Sequence, residues 1–99
     1  MTIIQLTRFE SSKSEEMIAI AKQVKFVVEK HGADSVHLRT IHDGPWIGEW
    51  MFVSRYSSWE VFGKTQGGLA KDPAWQKLMT QMKTIGKPTN RLITVEVEI

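Results

Sequence analysis

Four stretches of alternating side chains, two amphipathic segments that open on helix-start signals, and a Gly-Pro turn in mid-chain predict an α+β fold of order β-α-β-β-α-β. The alternating stretches have the period of two that half-buried strands require, and the amphipathic ones the 3.6-residue period of helices. With 99 residues, 41% hydrophobic, the chain fits one domain spanning residues 1–99.

Residues 2–9 alternate, with Ile4 and Leu6 on one side and Gln5 and Thr7 on the other. The run Ser12-Lys13-Ser14-Glu15 has capping-box spacing, and Met17, Ile20, Ala21, Val24, Val27 and Val28 follow at helical intervals. His31-Gly32 closes that helix, the glycine suiting a left-handed position and Lys30 and His31 the negative end of the dipole. His31 is therefore expected to cap, with no catalytic part.

Residues 35–42 and 47–56 alternate again around Asp43-Gly44-Pro45-Trp46, whose turn chemistry predicts a hairpin. Ser57-Ser58-Trp59-Glu60 repeats the capping-box spacing, and Gly67-Gly68 is expected to break the helix it starts. Asp72-Pro73 restarts it, with Asp72 as N-cap and Pro73 at the first helical position. Trp75, Leu78, Met79, Met82 and Ile85 form its apolar stripe. Residues 92–99 alternate Ile93, Val95, Val97 and Ile99 against Thr94, Glu96 and Glu98, which predicts the last strand. This order is the split βαβ or ferredoxin-like arrangement, whose right-handed crossovers put the helices on one face of a four-stranded antiparallel sheet.

Composition excludes several functions. No apolar run approaches the ~20 residues of a membrane span, and Met1 to Leu6 lacks the basic and apolar regions of a secretory signal. Without cysteine there is no disulfide, thiolate metal site or cysteine nucleophile. A cytoplasmic protein is expected. Thirteen basic against eleven acidic residues leave +2, and the lysines of the second half are spread along helix faces, so no nucleic-acid partner is expected. No HExxH, HxH, GxGxxG or P-loop occurs, so no metal and no cofactor is expected. His37 and His42 are five residues apart on one strand, which turns them to opposite faces.

A four-residue turn at positions 43–46 would set Arg39 opposite Trp50, His37 opposite Phe52 and Leu38 opposite Met51. Val36, Leu38, Met51 and Val53 would then face the helices. His37, Arg39, Ile41, Trp50, Phe52 and Tyr56 would share the uncovered face with Gln5, Thr7, Thr94 and Glu96. Leaving Trp50 and Phe52 in water would expose a large apolar patch, so a two-fold homodimer packing sheet on sheet is expected. His37 is the leading candidate base, against a hydrogen-bonded interface histidine. Arg39 would steady an oxyanion, against a stack on Trp50 or an ion pair with Glu96. Tyr56 would donate to a carbonyl, against shielding the helix start. Trp50, Phe52, Thr7 and Gln5 would line the ligand site.

The stretches Glu29-Lys30-His31-Gly32-Ala33, Tyr56-Ser57-Ser58-Trp59-Glu60-Val61-Phe62 and Leu69-Ala70-Lys71-Asp72-Pro73-Ala74-Trp75-Gln76-Lys77-Leu78, in this element order, resemble NIPSNAP-type members of the dimeric α+β barrel superfamily. That superfamily also holds antibiotic-biosynthesis-type cofactor-independent monooxygenases, haem-degrading enzymes, isomerases, polyketide cyclases, dye-decolourising relatives and many proteins without assigned activity. The resemblance implies a dimer whose two sheets enclose a pocket for a small, often aromatic or apolar molecule. Two functions follow as expectations: binding of such a metabolite without turnover, or cofactor-independent oxygenase, isomerase or cyclase chemistry with His37 as base.

Overall fold

The computed structural model describes all residues, 1–99. Its elements are β1 (Ile3–Glu10), α1 (Ser14–Lys30), β2 (Ser35–Thr40), β3 (Trp50–Tyr56), α2 (Trp59–Lys71), α3 (Pro73–Ile85) and β4 (Lys87–Val95). The sheet is antiparallel in the order β2-β3-β1-β4, the ferredoxin-like arrangement, with three helices against one face. The shortest dimension is 18 Å, the thickness of one helix layer on one sheet.

The helices form where the sequence signals them, with two differences. The Ser12–Glu15 box does not close. The helix begins at Ser14, its cap Lys13 makes no side-chain bond, and the Ser11 hydroxyl accepts from Lys13 N while donating to Ile85 O at 2.6 Å. Gly67-Gly68 does not break α2, which runs unbroken from a Ser58 N-cap accepting from Val61 N. Gly68 instead makes room, because a Cβ there would lie 2.5 Å from His31 Nδ1. The break comes at Asp72, which accepts from Ala74 N at 2.9 Å as the N-cap of α3, with Pro73 in the first turn. The last strand begins at Lys87 and ends at Val95, earlier than expected. Its pairing with β1 runs to Ile3↔Val95, and beyond it only Glu96 N still reaches Thr2 O.

The largest correction concerns the β2–β3 hairpin. The observed partners are Arg39↔Met51, His37↔Val53, Leu38↔Phe52 and Thr40↔Trp50, one residue away from the expected register. The cause is the loop. Backbone bonds from Ile41 N to Glu49 O and from Gly48 N to Ile41 O close seven residues, 42–48, where four were expected. Glycines at 44 and 48 supply its positive φ angles of 93° and 90°. Changing an even loop for an odd one turns every side chain of the following strand over.

Trp50, Phe52 and Tyr56 therefore lie under the helices, in one core with Ile3, Phe9, Val36 and the apolar stripes of α1 and α3. Gln5 and Thr7 share that face, opposite Ser54 and Phe52. The uncovered face carries His37, Arg39, Met51, Val53 and Arg55, joined by Ile4, Leu6 and Arg8 of β1 and by Leu92 and Thr94 of β4. A chamber between two sheets walled by Trp50 and Phe52 is accordingly overturned.

Candidate functional site

The covered face of the sheet is not fully filled. Between it and the helices lies a cavity of about 360 Å³, ten of whose 17 lining residues are hydrophobic. Its floor is the middle of the sheet: Phe9, Gln5 and Thr7 from β1, and Phe52, Ser54 and Tyr56 from β3. Val24 and Val28 of α1, Gln66 and Leu69 of α2, and Trp75, Met79 and Met82 of α3 form the roof. The α3 contributors stand at positions 75, 79 and 82, the three- and four-residue steps of one helix face. Lys83, Pro88 and Arg91 line it as well and are exposed, so the cavity meets solvent on the side of α3 and β4.

Three of its neutral polar groups meet at Gln66. The Gln66 amide nitrogen reaches the Gln5 side-chain oxygen at 3.3 Å and the Tyr56 hydroxyl at 3.4 Å. Tyr56 is 1% exposed and held edge-on by Phe62, with ring centroids 5.0 Å apart. Burial pushes its phenol above the ordinary tyrosine pKa, and contacts with Ser54 and Gln66 offset only part of that rise. The hydroxyl is thus neutral across the physiological range and available as a donor.

The roof is fastened at one point. His31 Nε2 lies 2.7 Å from Asp72 Oδ2, tying the end of α1 to the α2–α3 junction. Thr65 donates to His31 O at 2.9 Å from the next turn of the same interface. The bond with His31, followed by that from Ala74 N, holds the Asp72 carboxyl below its ordinary pKa. His31 thus closes its helix, as its position predicts, and also fixes the roof, which needed knowledge of what α2 packs against.

Of the residues singled out in the sequence, Tyr56, Phe52, Thr7 and Gln5 meet in this cavity, inside the protomer. Trp50 lies on the same face outside it, its indole N–H donating to Ser11 O at 3.1 Å. His37 and Arg39 are exposed on the other side of the sheet, and neither lines the cavity. The stack of Arg39 on Trp50 is not formed, and Glu96 pairs with Arg55 at 3.7 Å instead. The cation–π contact of the chain is made by Arg8, whose guanidinium stands 4.0 Å from the Trp46 ring centroid. Gln66, Lys83 and Arg91 were missed. Lys83 could have been read from the sequence, since it follows Met79 by four residues on the stripe already identified.

No protein-family model matches the chain, and no curated protein is significantly similar to it in sequence. Solved structures share its fold along nearly the whole length. SnoaB, a cofactor-independent oxygenase from Streptomyces nogalater, superposes with a TM-score of 0.77 at 9% identity, over 99% of this chain and 95% of that one. A NIPSNAP family protein from Agrobacterium tumefaciens gives 0.73 at 13% identity, over 98% and 87%. Rv0793 from Mycobacterium tuberculosis gives 0.72 at 16%, over 100% and 98%. The class is therefore a ferredoxin-like α+β fold. Within it, the chain shares its architecture with both NIPSNAP proteins and a cofactor-independent oxygenase.

Proposed function

We propose that the protein binds a small, largely apolar aromatic molecule in the cavity between its own sheet and helices. One observation carries the reading: an apolar space of about 360 Å³ with its hydrogen-bonding groups gathered at Tyr56, Gln66 and Gln5. That combination is what small-molecule sites require, apolar walls for affinity and a few polar groups for orientation. Trp75 and Phe52 offer ring surface to a planar body, and the Tyr56 hydroxyl a donor to a carbonyl or hydroxyl at its end.

Calorimetric titration with 2-naphthol, a neutral two-ring aromatic, tests it. Saturable one-to-one binding is expected, lost in Met79→Trp, which fills the cavity from the half-buried surface of α3. Absence of saturable binding to the folded wild type, or unchanged binding to that variant, overturns the reading.

A second reading, a cofactor-independent oxygenase, isomerase or cyclase, is favoured by the neutral buried phenol in the cavity, which can donate a hydrogen bond to an oxygen as negative charge develops on it. In this reading Tyr56 keeps its proton and steadies the oxyanion by hydrogen bonding. A base role for His37 would need a substrate on the uncovered face. Tyr56→Phe should then lower turnover at least tenfold while leaving affinity within twofold.

The protein is further proposed to be a homodimer through the uncovered face. Leu6, Val53 and Leu92 form an aliphatic band across β3, β1 and β4, with Ile4 and Met51 beside it. Leu92 is 43% exposed in the single chain. Covering Leu92 and the half-buried Leu6, Ile4 and Met51 with their symmetry mates would remove them from water in a closed isologous contact above the already buried Val53.

A further inference from the structure

We infer that the cavity selects an anionic ligand, an aromatic or apolar body carrying a carboxylate or phenolate, with the negative group held at the mouth by Lys83 and Arg91. This rests on the cavity being a ligand site. The charged residues among its 17 lining positions are these two, and no aspartate or glutamate lines it. They come from opposite layers. Lys83 is one turn beyond Met79 on α3, while Arg91 stands opposite Thr7 in the β1–β4 pairing, on the face that the helices cover. Neither takes part in any of the six ion pairs of the chain, so both cations are uncommitted at the rim of an apolar space. A cation beside low-dielectric walls attracts an anion more strongly than one in open water, and guanidinium and ammonium groups both recognise carboxylates.

The cavity also has polar groups of two kinds, neutral and cationic. The deep end, at Tyr56, Gln66 and Gln5, is neutral and suits a carbonyl or hydroxyl. The mouth is cationic. A ligand that matches both has a neutral oxygen on its inner ring and an acidic group on its outer end, and it enters with that group last. An aromatic of either opposite charge pattern, cationic or acidic at the inner end, is disfavoured by unpaired desolvated charge.

The test compares 2-naphthoate with 2-naphthamide, nearly the same shape with and without the charge, by isothermal titration calorimetry at pH 7.5. Naphthoate should bind at least tenfold more tightly, a difference of about 1.4 kcal/mol. The double variant Lys83→Gln/Arg91→Gln should bring naphthoate to the level of the amide and leave the amide within twofold. The control Lys71→Gln/Lys77→Gln removes the same net charge from exposed helix positions outside the cavity and should change neither. Raising the salt to 0.5 M should weaken naphthoate alone. Equal binding of the two compounds, or a naphthoate loss as large in the control as in the Lys83/Arg91 variant, overturns the inference and leaves the cavity reading standing. Failure of both compounds to bind, or amide binding that survives Met79→Trp, removes the cavity reading and this inference with it.

Discussion

The two faces of the sheet are built from the same strands and do opposite work. The covered face carries the large rings, Phe9, Trp50, Phe52 and Tyr56, and yet leaves a space among them. The uncovered face carries aliphatic side chains between arginines, and Val53 at its centre is 1% exposed. The cavity lies on the aromatic side, and the proposed contact surface on the aliphatic side.

The sharpest way to break this contrast is to truncate one ring on the covered face. Phe52→Ala should cost about 3–5 kcal/mol of folding stability in urea denaturation, because it enlarges an existing void at the centre of the core. A cost below 1 kcal/mol would mean the rings are not the core. Leu6→Asp on the opposite face should leave the fold intact by circular dichroism while shifting sedimentation from twice 11.3 kDa to the single chain. A wild-type protein that already sediments as the single chain removes the proposed dimer.

Smaller effects come from the polar groups at the margins. Glu49 accepts from Arg8 at 3.2 Å and from Thr89 at 2.7 Å, and Arg8 Nε is buried without a partner. Glu49→Gln should cost about 1–3 kcal/mol by leaving a buried guanidinium uncompensated, measured by the same denaturation curves. Trp46→Ala, which removes only the exposed ring over Arg8, should cost about 0.5–1 kcal/mol. The smallest effect is a pH dependence. Asp72 has a folded-state pKa below its ordinary 3.8, so the stability it contributes is complete above that value and is lost as pH falls through the folded one. Melting temperatures between pH 2 and 6 should therefore fall less steeply toward acid in Asp72→Asn than in the wild type.

The element order was legible because caps and periods are local properties. Ser58, Asp72 and Pro73 announce their helices within four residues. The faces were not legible from the same information. Parity on β3 depends on the length of a loop whose closing pair, Ile41 and Glu49, is eight positions apart and carries no turn signature of its own. Phe52 and Tyr56 were correctly grouped because they share one parity on β3, as Gln5 and Thr7 do on β1. His37 and Arg39 were grouped with them through the turn, and there the one-residue error entered. Gly68 shows the same limit in the helices: its reason for being glycine is the His31 ring, 37 positions earlier.

The odd count between Ile41 and Glu49 has a consequence for how such chains can diverge. Loss or gain of a single codon there would turn one strand inside out, exchanging rings for aliphatics across the sheet. Length variation at this hairpin among descendants of this sequence should consequently come in steps of two, with lone insertions tolerated only where a bulge absorbs them.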